Sequence, residues 1–393
     1  MRLRYEESEE QFRAELAAWL DEHQPPPEDQ RGVRRSSAHL PEWARTWQRT
    51  LFDAGWLVPG WPPELGGRNA TGVQQMIYFE EMAARELPRS VNPQGLSIVT
   101  PSIIDHGTEQ QQQRWALPTL RAEISWCLGM SEPGAGSDLA GLQTRAVADG
   151  DRFVVNGQKV WTSGAADADW CLCFVRTNPD VPKHKGISAL IIDMASDGVS
   201  TRPLPELTDP DYADFCEVFF TDVEVPAAHL LGEVDGGWPI TQGSLAHERA
   251  MLWIGTATSL RRSADALLAM GRDDPSLGGD PRHQDVAASL YIDARAAMLM
   301  GYRGFAKTQK GRPAPEHALL KLFTSEAERE LCLVSAESLG AGGLDAAREG
   351  RAVWRHGSWA DQYLRMFSGT IAGGTSEIQR NIVAERILGL PRR

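Results

Sequence analysis

Apolar residues recur at three and four spacing through the first 120 or so positions. The stretches "EEQFRAELAAWLDEH", "LPEWARTWQRTLFDAG", "GVQQMIYFEEMAAREL" and "TEQQQQRWALPTLRA" each predict a helix with one buried face. Thr108 is placed to cap the last of them, and the proline-rich "HQPPPEDQ" breaks the first from the second. From about residue 123 the period falls to two. "RFVVNGQKVWTSG" sets Asn156-Gly157 between alternating runs and predicts a hairpin there, while "WCLCFVRT", "GISALIIDM" and "CEVFFTDVEVP" predict further antiparallel strands. Past Gly236-Gly237 the helical period returns in four segments, the last being "TSEIQRNIVAERILG", and four such helices predict an antiparallel bundle. The pattern therefore predicts an α+β multidomain chain: an N-terminal α-helical domain (1–122), a central antiparallel, barrel-like β domain (123–235) and a C-terminal four-helix-bundle domain (236–393).

A hydrophobic share of 42% over 393 residues is ordinary for a globular chain of two or three domains. The formal charge of −13 argues against a sequence-independent grip on nucleic acid, which needs basic surface to displace counterions. The five cysteines are odd in number and lack metal-ligand spacing, so no metal site and a reducing compartment are expected. Cys171 and Cys173 share one face of a strand, which suits apolar packing better than zinc. The acidic first helix has neither the apolar core of a secretion signal nor transit-peptide character, and no apolar run approaches the roughly 20 residues of a membrane span. The expectation is a soluble cytoplasmic protein.

Two stretches stand out chemically. "WCLGMSEPGAGSDLAGLQT" (126–144) is a loop of small residues with Ser131 and Ser137 as hydroxyl donors; it suits close approach to a flat or phosphorylated ligand as well as it suits a structural loop. It has neither P-loop nor dinucleotide-fingerprint spacing. "TIAGGTSEIQR" (370–380) launches a helix from Gly373-Gly374, with Ser376 and Gln379 at capping-box spacing. Free amides and positive partial charge at such an end suit an anion or a polarised carbonyl.

Together "MSEPGAGSDLAGLQT", "VVNGQKVWTSG", "DVEVP", Glu248-Arg249 in "AHERAM" and "GGTSEIQRNIVAERILGLP" resemble the acyl-CoA dehydrogenase family in order and context, over nearly the whole chain. The resemblance implies the same three-part architecture and FAD as cofactor. It implies removal of the C2 pro-R proton of an acyl-CoA by a carboxylate, with hydride transfer from C3 to flavin N5, giving a trans-2-enoyl-CoA. The backbone from Leu128 through Met130, Ser131 and Gly136 to Ser137 would lie along the flavin, with Ser137 also near CoA. Trp161 and Ser163 would border the isoalloxazine, and Thr375 and Glu377 would touch it. Gly373 and Gly374 would bind the thioester carbonyl. An electron-transfer flavoprotein as acceptor and a tetrameric assembly are implied as well.

Many members of the family carry the base immediately before the Gly-Thr-Ser of the last helix, where this chain has Gly373. A subset resembling isovaleryl-CoA and long-chain dehydrogenases carries it on the first bundle helix, beside an arginine, and Glu248 occupies that place. Glu248 follows Leu245 by three and precedes Leu252 by four, so it projects from an apolar stripe where desolvation raises a carboxyl pKa. The competing reading is half of a buried ion pair; adjacent residues point about 100° apart, so Arg249 is free to orient the loop or substrate instead. Two positions depart from the family pattern. The arginine used on a neighbouring subunit's flavin pyrophosphate falls near Asp274, with Arg272 displaced, although Gln284 matches a flavin-contacting glutamine. In "ESLGAGG" Glu337 stands where a glutamine is expected, three residues before Gly340. These departures keep two alternatives open: one subunit of a heteromeric dehydrogenase, homotetramer and heterotetramer both being compatible, or a flavin oxidase or monooxygenase on the same fold. A base on the bundle helix also frees space beside Gly373 for branched or polycyclic acyl groups.

Overall fold

The computed structural model describes residues 5–27, 34–208, 213–312, 314–341 and 358–391, with side chains except those of 244–252, 317 and 318. Helices α1 (Glu7–His23), α2 (Glu42–Asp53) and α3 (Gly72–Ala84) come first. A π turn at Gly95–Val99 leads into α4 (Thr100–His106), and α5 (Glu109–Gln111) and α6 (Leu117–Leu120) flank a second π turn. Thr108 caps α5, accepting from the Gln111 amide in a complete capping box, as its spacing predicts.

Among the described residues eight strands follow: β1 (Trp126–Gly129), β2 (Arg145–Asp149), β3 (Arg152–Lys159), β4 (Trp170–Arg176), β5 (Ile187–Asp193), β6 (Val199–Pro203), β7 (Cys216–Pro226) and β8 (Leu230–Leu231). They form one sheet in the order β6-β7-β3-β2-β4-β5-β8, with β1 beside β4. The sheet is not purely antiparallel, because β1 and β2 each pair with β4 in parallel. Strands β4 and β5 are buried on both faces, which explains their unbroken apolar runs. Cys171, Cys173 and Val175 pack with Val155, Val218 and Val223, while Leu172 and Phe174 pack with Val99, Ile103 and Trp115 of the helices. All five cysteines are buried and free, and burial raises the Cys173 thiol pKa, so they behave as core residues.

Asn156-Gly157 is not a hairpin. Strand β3 runs through it against β7 with a register shift between Val155 and Gly157, and the chain reverses at Gly150-Asp151 instead. Asn156 and Asp222 exchange hydrogen bonds of 2.9 Å, which pins the bulge. A Cβ at Gly157, where φ is +151°, would lie 2.6 Å from Thr144 Cα. Gly157→Ala should therefore cost about 1–3 kcal/mol, read as a lowered urea midpoint with unchanged slope.

Among the described residues the remaining helices are α7 (Gly237–Asp273), α8 (Pro275–Gly278), α9 (Pro281–Thr308), α10 (Pro315–Ser338), α11 (Trp359–Gly369) and α12 (Ser376–Ile382). Ile254, Ala257, Leu260, Ala264 and Leu267 of α7 meet Ala287, Leu290, Ala294 and Ala297 of α9, spaced by three or four on both helices. The small residues allow close approach; a Cβ at Gly301 would overlap the Trp253 ring at 2.0 Å. The last predicted long helix is instead the seven residues of α12 followed by a π turn at Val383–Ile387. Backbone contacts divide the chain into two compact units, one comprising 1–20, 71–87 and 249–393 and the other 21–70 and 88–248. No described helix is long and apolar enough to cross a membrane.

Candidate active site

In the β-rich unit the loop after β1 is held from beneath. Gly129 fits because a Cβ there would lie 3.0 Å from both Cys171 Sγ and Cys173 Sγ. Glu132, which is buried, accepts from the Lys159 ammonium at 2.8 Å, from the Gln143 amide at 2.6 Å and from the Thr144 amide at 2.8 Å. Lys159 is fully buried and also donates to the Met130 carbonyl at 3.1 Å. Burial pushes the Glu132 carboxyl pKa up, but Lys159 and the donated hydrogen bonds outweigh it and hold the group below its ordinary range. The Glu132 and Ala135 backbones exchange two hydrogen bonds of 3.0 Å around Pro133-Gly134, and the Val160 amide donates to the Ser131 carbonyl at 2.9 Å. Leu128, Met130 and Ser131 are half-buried, whereas Gly136 and Ser137 are exposed.

Just past β3, next to the Val160 amide that bonds this loop, stands Trp161, whose backbone is left-handed at φ +60° and whose indole is 62% exposed. Its ring meets Phe215 edge-on at 6.0 Å. Thr162 and Cys216 exchange backbone hydrogen bonds of 3.0 and 3.2 Å, and Ser163 is half-buried beside them. An exposed indole on a strained backbone is stable only when its surroundings fix it, and such residues gather at ligand sites. The flat indole face, together with Gly134 and Gly136, where a Cβ would meet no described atom within 4 Å, fits a flavin ring.

In the helical unit Gly373 and Gly374 both adopt left-handed φ, +66° and +99°. The capping differs from the predicted box: Thr375, not Ser376, accepts from the Ile378 amide, and Gln379 reaches back to donate to the Gly373 carbonyl at 3.2 Å. Lys321 of α10 donates to the Gly374 carbonyl at 2.7 Å. The amides of Gly373, Gly374 and Thr375 have no acceptor among the described residues. Glu377 is exposed, and its own amide and the Thr375 hydroxyl hold its carboxyl below the usual range.

Glu248 and Arg249 belong to α7, but their side chains lie outside the described residues. Asp274 caps α8, accepting from the Ser276 amide at 2.8 Å and hydroxyl at 2.6 Å, so a carboxylate and no guanidinium stands at that position. Gln284 donates to the Gly278 carbonyl, Glu337 is exposed on α10, and Gly340 has left-handed φ just beyond it. The flavin ring therefore has a fitting surface, whereas 274 offers no cation to a pyrophosphate. Among the described residues no cluster could hold a metal ion.

Three family models match the chain in order: the acyl-CoA dehydrogenase N-terminal domain over 6–123, the middle domain over 127–223 and the C-terminal domain over 235–388. The chain belongs to the acyl-CoA dehydrogenase family and is an enzyme of that class. It is similar to acyl-CoA dehydrogenase IpdE1 of Mycobacterium tuberculosis, at 34% identity over 98% of each chain. It is 38% identical to acyl-CoA dehydrogenase FadE34 of the same organism over 90% of this chain and 47% of that one, so it spans about half of FadE34. Among solved structures it resembles the "Tcur3481-Tcur3483 steroid ACAD" at TM-score 0.84 and 30% identity, covering 100% of both chains. It also resembles a chain of the ChsE4-ChsE5 complex from Mycobacterium tuberculosis at TM-score 0.82 and 31% identity, again covering 100% of both.

Proposed function

We propose that the chain catalyses FAD-dependent α,β-dehydrogenation of an acyl-CoA thioester to its trans-2-enoyl-CoA. The observation that carries the reading is the Gly373-Gly374 turn, where consecutive amides lack acceptors among the described residues while the two glycine carbonyls are held by Lys321 and Gln379. Such amides suit a thioester oxygen whose negative charge grows as C2 loses its proton. Glu248 removes that proton, and Arg249 and Ser137 orient the substrate. Bound FAD would supply the acceptor for the C3 hydride, and Leu128, Met130, Ser131, Gly136, Ser137, Trp161, Ser163, Thr375 and Glu377 would hold it. An electron-transfer flavoprotein takes the electrons onward. The open space at a Gly373 Cβ and the steroid named for one similar structure support a bulky or polycyclic acyl group. Anaerobic addition of straight, branched and polycyclic acyl-CoAs to the flavin-loaded protein should bleach the long-wavelength flavin band, fastest with the bulky thioesters. No bleaching with any of them sinks the reading, and bleaching by short straight chains alone sinks the substrate class.

A second reading, one chain of a heteromeric dehydrogenase, is favoured by Asp274 and Glu337, which set carboxylates where a flavin phosphate end needs neutral or cationic groups. One of the similar solved structures is a complex of ChsE4 with ChsE5. On this reading the chain purified alone carries no flavin, and co-expression with a related partner restores it. Full flavin occupancy in the lone chain excludes that arrangement. Gln284, Glu337 and Gly340 then serve the pyrophosphate and adenosine end only within the complete assembly.

A further inference from the structure

We propose that Lys321 is a positioning residue for dehydrogenation, setting both the shape and the polarity of the Gly373-Gly374 turn. The inference rests on the reading that this turn receives the thioester carbonyl. A trans peptide points its C=O and the following N–H in opposite directions. Lys321 Nζ holds the carbonyl of the Gly374–Thr375 unit at 2.7 Å, and Gln379 Nε2 holds that of the Gly373–Gly374 unit at 3.2 Å. The Thr375 amide is thereby turned away from Lys321 and the Gly374 amide from Gln379, and neither has an acceptor among the described residues.

The two clamps differ in kind. Gln379 is neutral and buried, and it is seated against Gly374, where a Cβ would meet its Nε2 at 2.8 Å. Lys321 is half-buried and cationic, and a charge-assisted bond to a carbonyl oxygen draws electron density through the peptide toward the ammonium. The N–H on the far side of that peptide becomes the better donor to a developing oxyanion. Neither glycine has a side chain to fix its left-handed φ, so the ammonium also replaces the order that a substituted residue would supply.

The test compares Lys321→Met and Lys321→Arg with the wild type in the flavin-loaded protein. Two readouts are used: the absorption shift of bound cinnamoyl-CoA, a conjugated thioester that moves to longer wavelength when its carbonyl is polarised, and steady-state kinetics with the acyl-CoA that bleaches the flavin fastest. Lys321→Met should lose most of the shift and about tenfold to a hundredfold in kcat, with KM changed by less than about threefold. Lys321→Arg, which keeps a cation within reach of the carbonyl, should recover both. A wild-type shift retained in full by Lys321→Met overturns the role of Lys321 while leaving the turn's role intact. No shift in the wild type overturns the reading of the turn and this inference with it. If Lys321→Met does not fold, Lys321→Arg decides: a wild-type shift and kcat support the role, and loss of both in a folded variant overturns it.

Discussion

Glu248→Gln should keep its flavin and its fold yet bleach about a thousandfold more slowly with acyl-CoA, the loss expected when a positioned general base is removed. The amide is nearly isosteric with the carboxylate and cannot accept the C2 proton. Gly373→Glu in the Glu248→Gln background should then recover about tenfold or more of the lost rate. Space at position 373 favours this outcome, since a Cβ there meets no described atom within 4 Å. Backbone conformation opposes it, because φ at Gly373 is +66° and a side chain in that region costs about 1–2 kcal/mol. Recovery should therefore be partial. Anaerobic stopped-flow bleaching measures both steps, and a Glu248→Gln variant that bleaches at the wild-type rate removes Glu248 from the mechanism.

Periodicity revealed most of the architecture because the helices and strands obey simple burial rules. The step pattern on α7 and α9 is that of a packed helix pair, and the apolar runs of β4 and β5 are those of strands covered on both faces. Asn156-Gly157 misled because the dipeptide permits a tight turn without requiring one; here the same freedom accommodates a bulge over Thr144. A signal against the hairpin was present in Lys159. With β3 uninterrupted, Phe153, Val155 and Lys159 fall on one parity, so the lysine is directed inward and demands a buried acid. The Ser376-Gln379 spacing satisfied a capping box that Thr375 took over, which released Gln379 to the Gly373 carbonyl. Lys321 had no sequence signal, since its partner is a backbone oxygen 53 positions away. At Asp274 the unexpected carboxylate was legible, whereas its use as a helix cap required coordinates.

Lys159→Met should destabilise the protein by about 3–5 kcal/mol, because it strands a buried carboxylate rather than merely deleting a contact. Side-chain exposures of 0% for Lys159 and 7% for Glu132 leave water little access to replace the ammonium. The pH dependence identifies the cause. In the wild type the Glu132 pKa is depressed, so its contribution is present above the unfolded carboxyl value of about 4.3 and is lost as pH falls through the lower folded value. Without Lys159 only the Gln143 and Thr144 amides oppose the burial contribution, and the folded pKa should rise above the unfolded one. The variant then gains stability relative to the wild type as pH falls from 7 toward 5, and the gap measured by urea unfolding narrows. A gap independent of pH would mean that lost packing of the lysine stem, not the unpaired charge, is responsible. Because Glu132 also receives the Gln143 and Thr144 amides and Lys159 holds the Met130 carbonyl, the same variant should weaken flavin retention. Glu132→Gln in the Lys159→Met background removes the stranded charge, and it should recover stability before it recovers flavin.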